Sequence, residues 1–446
     1  MKKLIQTLKN IWSIEELRSK ILVTLLLILI YRIGSHIALP GINPAELAKN
    51  TNESKGMLGL IDAFSGGAFN QASILALGIM PYISASIFMQ LMTVLVPSFA
   101  KLQKEGESGR KKINQWTRYL TVIVTLVQAS AYVGYLNNMA NSKPIMIASF
   151  APYFWISTVI ILTAGTLFVM WLGEKITDKG LGNGTSLIIM VGILGRLPAN
   201  FMQELASKSV RTGQILIFII EIAILIAIIM GCILLVQGTR RISVNYAKQI
   251  VGNRQLGGGA RQYLPIKVNS AGVMPIIFAQ AIMFLPTLFF LNQATTSGVA
   301  SVFSDHMNFG YMAIYSAVVI GFTFLYTALI FNPKQIADNL KQNNGFVPGV
   351  KPGQPTADYI GAIMDKITLP GAILLALVGI LPGIAQRLGV TAGFSTFFGG
   401  TSLLILVGVV LDTLQQVETQ LLMRQYDGLM KGGRIQGRQT VTQASI

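Results

Sequence analysis

The sequence is short of charge, cysteine and histidine. Only 12% of its 446 residues are charged, about half the share usual in soluble domains. With 52% apolar residues and a mean hydropathy of +0.58, a soluble fold of this size has too little interior to hide its apolar surface. Disorder and a coiled coil are excluded by the same numbers. The single cysteine, Cys232, excludes an internal disulfide and a secreted disulfide scaffold. Two histidines, His36 and His306, leave little for a histidine metal site or a histidine-dependent triad. HExxH, the P-loop, GxSxG and Cys–His arrangements are missing. The chain therefore reads as a non-enzyme without cofactors: an all-α polytopic membrane protein.

Spanning helices need about 20 mostly apolar residues. Ten such stretches occur, near 21–39, 74–97, 119–138, 152–172, 184–200, 214–237, 271–291, 311–331, 368–386 and 400–422. The second, fifth and seventh carry Gly, Pro, Ser and Thr, as spans inside a bundle or along a cavity do. The sixth is apolar nearly all round, as a lipid-facing helix is. Residues 1–20 form a charged amphipathic segment that suits an interfacial cytosolic helix. The net charge is +17, and its placement sets topology. With the N-terminus in the cytosol, 27 of the 35 basic residues fall on the cytosolic side. That asymmetry supports an even span count with both termini cytosolic.

Two motifs recur in the same order. GIMPYI at Gly78–Ile83 is echoed by GVMPII at Gly272–Ile277, and GTSLII at Gly184–Ile189 by GTSLLI at Gly400–Ile405. The chain thus divides into halves of five spans, 21–200 and 214–422, joined by an external hinge at 201–213 and followed by a cytosolic tail at 423–446. An odd span number inverts the second half, which places a functional site near the midplane between the repeats. The sixth residue of every motif copy is isoleucine: Ile83, Ile277, Ile189 and Ile405. Ile87 and Ile193 lie one helical turn further on. If the halves surround a channel, these residues meet as an aliphatic ring that resists ion flow by dewetting. Ordinary core packing is the competing reading.

Several loops are longer than connections need. The external stretch Gly56–Gln71 is apolar, glycine-rich and too short to span, as a re-entrant segment or a loop resting on the bundle is. Loop 238–268 carries Arg240, Arg241, Tyr246 and Lys248, and loop 332–367 carries Lys334, Lys341 and Lys351. Such basic protrusions suit RNA phosphate or an acidic protein surface, beyond setting topology. GNGTS and GGTS read as helix starts capped by Thr or Ser. Arg32, Glu221 and Asp412 are ionisable groups within spans, and the sequence leaves their roles open. An inverted-repeat transporter needs a charged or unwound midplane site, which is not evident. An intramembrane enzyme needs a nucleophile and base that the sequence does not offer.

Long blocks carry a family resemblance. They include RIGSHIALPG (Arg32–Gly41), FSGGAFNQASILALGIMPYISASI (Phe64–Ile87), KEGESGRKKINQWTRY (Lys104–Tyr119) and MWLGEKITDKGLGNGTSLII (Met170–Ile189). RRISVNYAK (Arg240–Lys248), LPIKVNSAGVMPIIFA (Leu264–Ala279), NPKQIADNLKQNNGFVPGVKPG (Asn332–Gly353) and GGTSLLILV (Gly399–Val407) complete the set. From about Arg18 to about Leu422 the chain resembles the SecY family, the pore subunits of the bacterial Sec protein translocon.

The resemblance implies a clamshell of two inverted, pseudo-symmetric five-helix halves around a central channel. It implies a pore ring at Ile83, Ile87, Ile189, Ile193, Ile277 and Ile405. A plug is implied over Leu60, Ile61, Asp62, Ala63, Phe64, Ser65, Gly66, Gly67, Ala68, Phe69 and Asn70. A lateral gate is implied between spans two and three and spans seven and eight, with Gln128, Ser86 and Asn269 as polar gate residues. Arg240, Arg241, Tyr246, Lys248, Lys334, Lys341 and Lys351 fall on the family's docking surface for the SecA ATPase and the ribosome. SecE, SecG, preprotein signal sequences and the lipid bilayer are further implied partners, with ribosomal RNA within reach of the basic loops and no DNA. One departure stands out: the tip motif is Lys351-Pro352-Gly353, where the family usually has Arg. Lysine keeps the charge and loses the bidentate fork.

Overall fold

A computed structural model describes residues 12, 14–43, 65–142, 153–209, 214–246, 249–251, 254–256, 261–290 and 308–431. Its helices are α1 (Glu15–Gly34), α2 (Met80–Leu95), α3 (Pro97–Lys104), α4 (Glu107–Ser142), α5 (Phe154–Lys179), α6 (Gly184–Ser209) and α7 (Gln214–Gln237). Strands β1 (Thr239–Tyr246), β2 (Gln249–Val251), β3 (Arg254–Leu256) and β4 (Arg261–Lys267) follow. After them come α8 (Met274–Phe290), α9 (Phe309–Ile330), α10 (Pro333–Gln342), β5 (Gly345–Phe346), α11 (Gln354–Arg387), α12 (Ala392–Ser395) and α13 (Gly400–Lys431).

The chain is a helical bundle built for a membrane. Among the described residues seven helices (α4, α5, α6, α7, α9, α11 and α13) are long and apolar enough to cross a bilayer. The pair α2 and α3, bent by 100°, makes an eighth. Of the ten expected spans, α1 misses that standard because it keeps Arg18, Lys20 and Arg32, and α8 because only 17 residues form it. The sixth span, α7, exposes Ile215, Leu216, Ile219, Ile226 and Leu234, as a lipid-facing helix should.

Several boundaries differ from expectation. Span two begins at Met80 rather than 74, because residues 66–79 run as mostly buried turns before it. Helix α6 continues through Pro198 to Ser209, so most of the expected hinge at 201–213 is helical; residues 210–213 lie outside the described residues. A proline inside a helix costs one backbone hydrogen bond, and here tertiary packing of Leu197 and Phe201 on the central core outweighs it. The GNGTS cap is neither Thr nor Ser. Asn183 Oδ1 accepts from the Thr185 amide (3.1 Å) and hydroxyl (2.7 Å).

Apolar packing is organised in separate blocks. One core, with Leu39, Phe69, Tyr132, Val133, Phe154 and Leu162, lies within the first half. Another, with Cys232, Ile276, Tyr315, Leu375 and Leu404, lies within the second. A central core joins both halves through Tyr31, Leu75, Ile188, Ile189, Phe394 and Ile405.

The two basic loops are not separate. Strands β4, β1 and β5 form one antiparallel sheet in that order, with Ile242 opposite Leu264 and Asn245 opposite both Arg261 and Phe346. Alternation along β1 buries Ile242 and Val244, and they share a small core with Leu340, Val347, Ile360 and Met364. So the expected all-α fold carries a β-sheet appendage that unites both loops.

Candidate pore, plug seat and gate

The repeated motifs open helices in matching register. Gly78 and Gly272 both take positive φ (+54° and +65°), which favours glycine. Each is followed after one residue by the Met-Pro that starts α2 or α8. Gly184 and Gly400 are the first residues of α6 and α13. Ile83 and Ile277 are therefore fourth in their helices, and Ile189 and Ile405 sixth. At about 1.5 Å per residue the four lie at similar depths from their helix starts.

Ile189, Ile193 and Ile405 are buried in the central core, and Ile83 and Ile277 pack against it. The same Ile83 and Ile277 also pack with Ile87 in a second cluster containing Ala271, Phe278 and Tyr326. All six isoleucines thus belong to one continuous apolar contact, supplied by α2, α6, α8 and α13. Such a surface holds no fixed charge or hydrogen-bond partner for an ion.

The segment before α2 is seated beside this contact. Leu60–Phe64 lie outside the described residues; Ser65–Phe69 are buried. Ser65 Oγ accepts from the Phe69 amide at 3.0 Å, and Tyr132 on α4 donates its hydroxyl to the Phe69 carbonyl at 2.7 Å. Residues 72–74 then run antiparallel to 37–39, with Leu39 N–H bonded to Ala72 O (2.8 Å) and Ile74 N–H to Ile37 O (2.9 Å). A Cβ on Gly66 would lie 2.7 Å from the Gly192 Cα, so only glycine lets this turn rest on α6 next to Ile193.

The expected gate residues are dispersed. Ser86 on α2 and Gln128 on α4 are half-buried. Asn269 is buried, and its Oδ1 has no hydrogen-bond partner among the described residues. A sharper polar contact was missed: the Tyr326 hydroxyl of α9 donates to Gln90 Oε1 of α2 at 2.7 Å. The only sequence signal was a glutamine within an apolar span. Thr401, at the start of α13, likewise donates to Gln280 Oε1 of α8 at 3.2 Å.

The expected docking residues divide. Arg240, Arg241, Lys334, Lys341 and Lys351 are exposed. Tyr246 is half-buried against Gly345 and the sheet's core, so its ring supports the sheet. Lys248 lies outside the described residues. The Lys351 tip is shaped by Gly349 and Gly353 at φ +85° and +101°, and the Lys351 carbonyl accepts from Thr356 Oγ1 at 2.8 Å.

Of the three ionisable residues within spans, Asp412 is exposed on α13. Glu221 joins a buried cluster that the sequence did not reveal. Lys208 Nζ lies 3.0 Å from Glu204 Oε1 and also bonds Glu221 Oε1. Glu204 Oε2 accepts the Thr391 amide (2.9 Å) and hydroxyl. The cluster ties α6, α7 and the segment before α12. Among the described residues no group of three or more His, Cys, Asp or Glu is arranged to hold a metal ion.

Comparison with known proteins bears on the family and the fold. The SecY family model matches residues 73–414. The protein translocase subunit SecY of Corynebacterium glutamicum is 41% identical, over 97% of this chain and 100% of that one. The chain belongs to the SecY family. The SecY subunit of Mycobacterium bovis is 40% identical over 93% of this chain and 97% of its own length. The fold matches a solved protein conducting channel at TM-score 0.61 and 18% identity, covering 90% of this chain and 92% of that one. It also matches Sec61 in the canine ribosome–channel complex at 0.56 and 17%, with the same coverage. This likeness is consistent with the ten expected spans, of which the described residues show seven, or eight with the bent pair, that are long and apolar enough to cross a bilayer.

Proposed function

We propose that this SecY-family protein is a passive protein-conducting channel whose narrowest point is the six-isoleucine contact. The reading is carried by one observation: four helix starts from two repeats deliver Ile83, Ile87, Ile189, Ile193, Ile277 and Ile405 into one apolar surface, with the Ser65–Asn70 turn seated beside it. Unfolded preproteins pass the ring when the plug, Leu60–Asn70, moves aside. Signal sequences and membrane segments leave between α2 and α4 on one side and α8 and α9 on the other. Partitioning drives that exit, since an apolar segment of about 20 residues gains by entering lipid.

In this reading the protein sits in the cytoplasmic membrane with both termini cytosolic, as its basic-residue asymmetry supports. The sheet appendage and the Lys351 tip are the cytosolic docking surface for a SecA motor or a ribosome. Ribosome binding has a precedent in the fold, in Sec61 and in the yeast Ssh1 complex bound to the 80S ribosome. SecE and SecG complete the channel, and energy comes from the docked partner or the proton-motive force.

A crosslinking experiment tests this. With Cys232→Ser as background, single cysteines replace Ile83 or Ile405, and a cysteine-bearing secretory chain is stalled during export into vesicles. Crosslinks at both positions, and none at the exposed α7 position Ile224, are expected. Vesicles that export the chain without either crosslink contradict the ring assignment.

A further inference from the structure

Two arginines reach the Ser65–Asn70 turn from neighbouring helices. Arg32, in the last turn of α1, donates from Nη1 to the Gly66 carbonyl at 3.0 Å. The same guanidinium lies across α6, where a Cβ on Gly195 would meet its Nη2 at 2.7 Å. Arg196, the next residue of α6, lies against the adjoining turn residue: a Cβ on Gly67 would meet its Nε at 3.1 Å. Gly66 and Gly67 hold φ of +67° and +98°. The pair of glycines therefore meets two needs at once, a left-handed backbone and room for two flat cations.

An arginine within a spanning helix is costly unless it has work or a partner. Here α1, the turn and α6 converge on one guanidinium, and the carbonyl it meets belongs to the only one of the three that is not a helix. A charge-assisted bond is stronger than a neutral one and is directional. A second anchor of the turn is the neutral Tyr132–Phe69 bond to α4. Gly192, on which Gly66 rests, adjoins Ile193, so the seat and the ring share one helix.

We propose that Arg32 and Arg196 are positioning residues that clasp the Gly66–Gly67 turn against α6 and hold the plug in its closed seat. The clasp must release before the plug leaves, so it sets how often the idle channel opens. This rests on the channel and plug reading above. Arg32 holds the turn through its bond to the Gly66 carbonyl. Arg196 confines the turn from the other side.

The test is the resting ion conductance of the full complex, with its small partner subunits, in planar bilayers. Arg32→Gln is expected to raise resting conductance about tenfold, the loss expected for one bond to a charged donor. Arg196→Gln is expected to raise it as well, and Arg32→Lys to restore part of the seal because the amine keeps charge and a donor. Export of a preprotein with a defective signal sequence should rise in the same order, which a general loss of stability would not produce. Deletion of residues 60–70 is measured alongside. Wild-type conductance in Arg32→Gln, with increased conductance in the deletion, overturns the clasp and leaves the plug standing. Wild-type conductance in the deletion overturns the plug reading and the clasp with it. If Arg32→Gln does not assemble, Arg32→Lys and Arg196→Gln decide by the same readout: raised conductance supports the clasp, and wild-type conductance in both overturns it.

Discussion

The two edges of the bundle are fastened differently. At one edge α6 meets α7 and the segment before α12 through buried ions: Glu204, Lys208 and Glu221 are 0%, 8% and 6% exposed. Glu204 also takes both polar hydrogens of Thr391, and Asn200 Nδ2 donates to the Gly393 carbonyl at 3.1 Å. At the other edge α2 faces α8 and α9 through a small apolar cluster and the neutral Tyr326–Gln90 bond. Removing one partner of a buried ion pair costs about 3–5 kcal/mol. A neutral hydrogen bond contributes about 1 kcal/mol. The ion-fastened edge suits a hinge that holds, and the other suits a seam that parts. That asymmetry fits the lateral gate proposed above.

The comparison can be broken at its strong edge first. Lys208→Ala leaves two buried carboxylates without their cation. It should destabilise the protein by about 3–5 kcal/mol, read as a lower thermal midpoint of the purified complex. Glu221→Gln should cost less, because Lys208 keeps Glu204 at 3.0 Å. An equal or greater cost for Glu221→Gln would show that the cluster is not organised around the lysine.

At the seam, Tyr326→Phe removes the hydroxyl that reaches Gln90. Loss of about 1 kcal/mol should shift the closed-to-open equilibrium about fivefold, with little change in thermal midpoint. Spin labels on α2 and α9 report it as a larger fraction of long distances. A fall in midpoint as large as that of Lys208→Ala would contradict the division between hinge and seam.

The smallest effect on stability belongs to the sheet tip. Lys351 is exposed, and its backbone carbonyl accepts from Thr356. Lys351→Ala should leave stability within about 0.5 kcal/mol while weakening motor or ribosome binding, measured by co-sedimentation with inverted vesicles. Lys351→Arg should strengthen it if the partner offers a carboxylate or phosphate to the fork.

How legible all this is from sequence depends on distance along the chain. Gly-Thr-Ser is a local signal that marks the starts of α6 and α13, whereas α2 and α8 begin at the Met-Pro of their motifs, six and three residues later than the expected spans. The isoleucines follow from the same register. Glu204 and Lys208 have the i,i+4 spacing of a helical ion pair, yet they fall in the stretch 201–213 expected to be a hinge rather than a helix. The Tyr326–Gln90 bond joins residues 236 apart, and the pairing of β5 with β1 joins the two basic loops across α8, α9 and α10. Neither leaves a trace in local pattern. The Arg32 contact is of the same kind: a basic residue in a span signals that a partner exists, and only the fold reveals that the partner is a glycine carbonyl.

Locking each edge in turn distinguishes a seam that parts from a hinge that holds. In a Cys232→Ser background, cysteines at Gln90 and Tyr326 are joined by a short bifunctional crosslinker. In a second variant, cysteines replace Phe201 and Phe218, whose rings lie 5.5 Å apart beside the ion cluster. Export and lateral release of a membrane segment are measured before and after crosslinking. The account predicts that the seam lock stops both while the hinge lock leaves them near their uncrosslinked rates. Export that survives the seam lock, or stops with the hinge lock, would contradict it.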